Sequence, residues 1–180
     1  MFTTAFPKLN HQPLLDNFET IREEYQSIPL EQYFDYPSVE QGINELLECP
    51  KNTEHFWQVY PLMYLSEPWQ GRRSQTIDLL MGLNVKPLLA TFSILRPYSK
   101  IDEHQDHDES KVDDHSTTVV KYHLTLDSLA GAGLVVGGED RKLNSGDLNI
   151  FDESTDHWAY NNTNSVRGVL IISFLRKDLE

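Results

Sequence analysis

Apolar positions in the first half of the chain recur at helical spacing, whereas those in the second half come in short runs broken by turn-forming residues. Residues 13–28, PLLDNFETIREEYQSI, place Leu14, Leu15, Phe18, Ile21 and Tyr25 on one side of a predicted helix. Ser38 stands at a cap position for a second short helix over 38–48, and a third is predicted over 74–83, SQTIDLLMGL. Residues 56–64, FWQVYPLMY, are aromatic and β-branched enough for a strand, which Pro61 confines to an edge or an irregular end.

From Leu88 onward no further helix is predicted. Strands are expected over 88–96, 118–126, 132–138, 148–154, 157–162 and 166–175. Between them stand three turn signals: Gly137-Gly138-Glu139-Asp140, Asn144-Ser145-Gly146-Asp147 and Asn161-Asn162-Thr163-Asn164. Many short strands with regular turns and one acidic loop describe a jelly roll. An immunoglobulin sandwich would bring a Cys and Trp signature that is missing. The 180 residues suffice for one domain with a sizeable core and are too few for two ordinary ones. The expected division is a mixed helical elaboration over 1–85 and the β core over 86–176.

Composition narrows the partners. With 15 Lys and Arg against 28 Asp and Glu, the formal charge of -13 repels phosphate backbones and anionic lipid headgroups. Neither nucleic acid nor a membrane surface is expected as a partner, which leaves a small molecule or a peptide. Cys49 is the single cysteine, so no intrachain disulfide can form and a reducing cytoplasm fits. The N-terminus lacks a charged segment followed by an apolar run, and no stretch approaches the roughly 20 apolar residues of a bilayer span. A soluble, untargeted protein is expected.

Candidate chemistry begins at Lys100-Ile101-Asp102-Glu103-His104-Gln105-Asp106. In extended backbone His104 and Asp106 point to one face and can grip one ion. By itself such a pair also reads as a solvated loop. His157 follows 53 residues later at the start of an expected strand. Two imidazoles and one carboxylate form the facial triad of Fe(II) oxygenases, which leaves positions open for a bidentate 2-oxo acid and dioxygen. Arg167 follows ten residues after His157 on a strand otherwise made of Val166, Val169, Leu170, Ile171 and Ile172. If it points inward it must find an anion, because burying an unpaired charge is prohibitive, and the distal carboxylate of 2-oxoglutarate would serve in bidentate geometry. The bland alternative is an arginine in solvent or paired with one of the many acids.

Over about residues 88 to 175 the sequence resembles the aspartyl/asparaginyl β-hydroxylases, a branch of the 2-oxoglutarate- and Fe(II)-dependent dioxygenases built on a double-stranded β-helix. Phe92-Ser93-Ile94-Leu95-Arg96-Pro97 is similar to the family's FS-x-x-x-P strand, and Ile101-Asp102-Glu103-His104 to its first metal histidine. Lys121-Tyr122-His123-Leu124 resembles its R-x-H-L segment, and GDLNIFDESTDH, from Gly146 to His157, its G-x-x-x-x-FD-D-S-x-x-H element. The resemblance implies Fe(II) on His104, Asp106 and His157. It implies the distal carboxylate of 2-oxoglutarate on Ser93 and Arg167, with Lys121 and His123 toward the metal-chelating end, and O2 as co-reactant. Two departures stand out. Well-known members carry Gly where this chain has Asp106, so a complete triad implies hydroxylation rather than halogenation, and Lys121 replaces Arg, which keeps the charge and loses the planar fork.

The expected reaction is hydroxylation of an unactivated C–H bond in an amino acid or a peptidyl residue of Asp, Asn or Pro type. A cupin-like metal-binding isomerase or sensor that does not use 2-oxoglutarate is the alternative, and an inactive interaction module is a further one. Residues 107–117, HDESKVDDHST, read as a lid or a solvated loop, with a second metal site at His107, Asp113 and His115 a remoter reading. Asp152 and Ser154 read as turn-forming or metal-supporting groups. Trp57, Trp69, Trp158 and Tyr160 read as packing residues, and Arg72-Arg73 as a solvated pair or a substrate anchor.

Overall fold

The computed structural model describes residues 1–3, 6–36, 56–106 and 119–180. The helix expected over 38–48 and the loop expected over 107–117, with its candidate second metal site, lie outside the described residues. The elements run β1 (Phe2–Thr3), α1 (Gln12–Asp16), α2 (Phe18–Ser27), β2 (Phe34–Asp35), β3 (Trp57–Tyr64), β4 (Glu67–Pro68) and α3 (Gln75–Met81). They continue with β5 (Leu89–Leu95), β6 (Ser99–His104), β7 (Val119–Asp127), β8 (Ala132–Val136), β9 (Glu139–Lys142), β10 (Leu148–Asp152), β11 (His157–Asn161), β12 (Arg167–Leu175) and α4 (Arg176–Leu179).

The strands form two antiparallel sheets. The larger has the order β1-β10-β7-β12-β5-β3-β2, with β4 on the margin of β3, and the smaller has the order β6-β11-β8-β9. From β5 to β12 the chain passes repeatedly between the two sheets, which is the winding of a double-stranded β-helix, the jelly roll that the strand pattern predicts. The N-terminal residues add strands to the larger sheet and helices to its outer face.

Alternation with a period of two decides what each central strand does. On β12, Arg167, Val169, Ile171 and Ser173 face a cavity between the sheets, whereas Leu170, Ile172 and Phe174 face a core shared with the helices. On β7, Lys121 and His123 face the cavity, and Val120, Tyr122 and Leu124 the core. Strand β5 divides likewise, with Ser93 toward the cavity and Phe92 and Ile94 toward the core. Both faces of these strands are covered, which explains apolar runs too continuous for a half-exposed sheet.

The helices dock through Leu14, Ile21, Tyr25, Ile77 and Leu80. The Arg22 guanidinium donates from Nε and Nη2 to Asp127 Oδ1 at 2.9 and 2.7 Å, tying α2 to the end of β7. Ser74 caps α3 by accepting from the Ile77 N–H at 3.2 Å, and Glu24 of α2 accepts from the Thr76 N–H at 2.9 Å. The single helix expected over 13–28 is two, because Asn17 interrupts it. Its side-chain amide donates to the Pro13 carbonyl at 2.8 Å, the local competition with the helix ladder that makes Asn a poor interior residue.

Three further differences from the sequence reading have physical causes. Strand β6 was not among the expected strands, since exposed Lys100, Asp102 and Glu103 hide its period. Gly137 and Gly138, with φ of 54° and 81°, complete a two-residue turn, so that Glu139 and Asp140, read as turn residues, begin β9. Pro61 lies within β3 at a register shift, between the stretches paired by β2 and β4, so its missing N–H costs no bond to either.

Gly168 lets Tyr25 of α2 lie directly against the sheet backbone. A Cβ there would collide with the ring and hydroxyl of Tyr25, which is buried and cannot swing away. The Gly168→Ala variant is expected to lose about 1–3 kcal/mol of stability, a drop of roughly 2–10 °C in a thermal melt, because the helix must lift.

Candidate active site

His104 ends β6 and His157 begins β11, and the two are paired in the register of the smaller sheet. Their ring centroids lie 4.3 Å apart. His104 Nδ1 is 2.7 Å from the Asp102 carbonyl oxygen and His157 Nδ1 is 2.8 Å from that of Thr155. A carbonyl only accepts, so both Nδ1 atoms carry the proton and both Nε2 lone pairs are left for another partner. Asp106 faces them, with Oδ1 3.5 Å from His104 Nε2 and Oδ2 3.5 Å from His157 Nε2. Its backbone N–H donates to the Glu153 carbonyl at 3.2 Å, which ties the carboxylate to the end of β10. One ligand atom from each of the three residues falls within 4.8 Å of the others.

The three border a cavity of about 130 Å³ between the sheets. Apolar groups form much of the wall, among them Val59, Leu134, Ala159, Val169 and Ile171. Arg167 also borders it, only 4% exposed, and its Nε has no hydrogen-bond partner among the described residues. Burial pulls its pKa down to about 10, which still leaves it charged at neutral pH. His123 is similarly buried, with both ring nitrogens unpartnered among the described residues and its edge against Phe151. Ser93 Oγ accepts the Trp57 indole N–H at 3.0 Å. Lys121 touches Asp106 and lies 3.7 Å from Glu153.

Burial pushes the His157 imidazole down to about 3, with the Lys121 charge adding to the effect. Burial lowers His104 as well, opposed in part by the Asp102 carbonyl, and it drives His123 well below the usual range. The sign is the same for all three: the neutral form is favoured, so the two Nε2 donors need no deprotonation at neutral pH. Mn(II) affinity is therefore expected to change less than about twofold between pH 7.5 and 6.5, whereas two ordinary imidazoles would lose roughly threefold. Calorimetric titration at the two pH values checks this.

Every expected site residue thus borders this one cavity. Trp57, read as packing, also touches Ser93 and stacks on Tyr36 with centroids 4.0 Å apart. Neither Tyr36 nor Glu153 stood out in the sequence. Asp152 is turn-forming, accepting from the Ser154 N–H and hydroxyl at 2.9 and 2.6 Å. Trp158 and Tyr160 pack on each other, and Trp69 packs with Phe34 and Val59. The reading of Arg72 as solvated is corrected. Its guanidinium donates to the Pro61 carbonyl at 2.9 Å and lies 3.8 Å over the Tyr60 ring, while Arg73 is exposed.

A double-stranded β-helix that gathers two imidazoles and a carboxylate beside a largely apolar cavity defines a jelly-roll protein with a candidate metal centre. The chain belongs to the aspartyl/asparaginyl beta-hydroxylase family, whose model matches residues 15–177. Similar solved structures include the plu4264 protein of Photorhabdus luminescens, 17% identical with a TM-score of 0.46 over 70% of this chain and 81% of that one. A Cupin_2 domain of an XRE family transcriptional regulator from Enterobacter cloacae is 16% identical, with a TM-score of 0.45 over 67% of this chain and 97% of that one. KdgF from Halomonas sp. is 15% identical, with a TM-score of 0.45 over 70% and 84%. No curated protein matches the sequence. Among the described residues no helix is long and apolar enough to cross a membrane.

Proposed function

We propose that this protein is a 2-oxoglutarate- and Fe(II)-dependent dioxygenase that hydroxylates an unactivated C–H bond of an amino acid or peptidyl residue. The observation that carries the reading is Arg167, a buried cation whose Nε has no partner among the described residues, in the cavity that the His104, Asp106 and His157 donors border. A dianionic cosubstrate that spans from the donors to the guanidinium satisfies both.

The donor set fits the metal. Two neutral imidazoles and one carboxylate suit Fe(II), and a three-residue set leaves room for a chelating 2-oxo acid and for dioxygen. When bound, Fe(II) supplies the activation of O2 that couples oxidative decarboxylation of 2-oxoglutarate, to succinate and CO2, with hydroxylation of substrate. The protein's own residues bind, orient and exclude water. Arg167 receives the distal carboxylate as a bidentate partner. Ser93, already accepting from Trp57, has its hydroxyl proton left to donate to the same group. His123, neutral and without a ring-nitrogen partner among the described residues, offers one N–H in the same cavity. The apolar wall keeps bulk water away from the reacting C–H bond.

A cupin-like metal binder without 2-oxoglutarate would leave Arg167 with no anion among the described residues. In a thermal melt of the Mn(II)-loaded protein, 2-oxoglutarate at about 100 times its dissociation constant should add about 2.7 kcal/mol, a rise of roughly 5–11 °C. Glutarate, which lacks the chelating 2-oxo group, should add much less. A protein that binds Mn(II) yet melts at the same temperature with and without 2-oxoglutarate would instead support the cupin-like reading.

A further inference from the structure

Lys121 and Arg167 are the lysine and arginine side chains that border the cavity among the described residues, and their surroundings differ. The Arg167 Nε has no partner among the described residues, while Lys121 is committed. Its Nζ contacts Asp106 Oδ2 and forms an ion pair with Glu153 Oε2 at 3.7 Å. The Lys121 side chain is 16% exposed and that of Glu153 7%. The Glu153 backbone binds both neighbouring segments: its carbonyl accepts from the Asp106 N–H, and its N–H donates to the Val119 carbonyl at 3.4 Å. Lys121, Glu153 and Asp106 are therefore one lashed unit joining β7, the end of β10 and the residue two beyond β6.

Asp106 is the member of the donor set with the least support of its own. Each histidine is oriented by a carbonyl on its Nδ1, but a carboxylate two residues past the end of its strand needs an outside partner to fix its plane. Among the described residues Lys121 is the side-chain partner its carboxylate has outside the donor set. We propose that Lys121, anchored by Glu153, is the positioning residue of the metal carboxylate, holding Asp106 against the two Nε2 atoms. The inference rests on the reading of the three residues as a metal site. It reassigns Lys121, which the resemblance alone would place on the cosubstrate.

The test is Mn(II) affinity by calorimetry for wild type, Lys121→Met, Lys121→Gln, Asp106→Gly and the Asp106→Gly, Lys121→Met double variant. Metal-free melts of each report folding. Lys121→Met is expected to weaken Mn(II) binding about 10- to 100-fold, and Lys121→Gln, which keeps a donor near Asp106, to fall between. In the Asp106→Gly background Lys121→Met should cause no further loss, because its target is gone. Wild-type Mn(II) affinity in Lys121→Met, or an equal loss in the Asp106→Gly background, overturns the assignment while leaving the metal site standing. A wild-type protein that binds no Mn(II) overturns the metal reading, and this inference with it.

Discussion

Replacing Arg167 with methionine is expected to weaken 2-oxoglutarate binding by at least about 100-fold while leaving the cosubstrate-free protein as stable as wild type or more so. The loss follows from removing the bidentate partner of the distal carboxylate. The second half of the expectation is less usual. Arg167 is almost fully buried, and its pKa of about 10 shows the charged form resisted by burial. A drop from 12.5 corresponds to about 3 kcal/mol of desolvation, which no anion among the described residues offsets. Methionine fills comparable space without the charge, and replacing buried ions by apolar groups is often neutral or stabilising. A paired measurement, 2-oxoglutarate affinity and the metal-free melting temperature, checks both parts. An Arg167→Met variant that binds 2-oxoglutarate like wild type would show that the guanidinium serves another anion.

The His157→Ala variant is expected to lose Mn(II) and Fe(II) binding by at least about 1000-fold, leaving no detectable binding at micromolar concentrations. Its ring is oriented by the Thr155 carbonyl so that Nε2 faces both His104 and Asp106, and the candidate donor set among the described residues holds no fourth group to replace it. Asp106→Gly should be milder, because it leaves the two imidazoles in place. Equal losses in the two variants would contradict this ranking. The metal-free fold should survive in both, since His157 has its polar contacts within its own loop and the donor set.

Much of this was legible in the sequence because two signals reinforced each other. Apolar runs bounded by turn residues gave β3, β5, β7, β10 and β12 of the larger sheet, but not the two-residue β1, β2 and β4, and gave β8 and β11, half of the smaller sheet. The spacing of His104, Asp106, His157 and Arg167 gave the cavity-facing set, and on β12 the period of two left Arg167 on the cavity side. What was not legible had no pattern to show. Strands β6 and β9 are short and largely polar on the outside, so neither carries an apolar alternation. The break at Asn17 depends on one side-chain bond to Pro13. Trp57 and Glu153 look like any tryptophan and any acid until the fold sets one on Ser93 and the other beside Lys121. Arg72 looked like half of a solvated pair because the Tyr60 ring beneath it lies on another element.

The most direct test of the central claim is an anaerobic titration of the Fe(II)-loaded wild-type protein with 2-oxoglutarate, followed in the visible region. A weak metal-to-ligand charge-transfer band that grows to one equivalent of cosubstrate is the predicted result, since it requires the 2-oxo acid to chelate an iron held by His104, Asp106 and His157. Iron that binds with no band at any 2-oxoglutarate concentration would contradict the account.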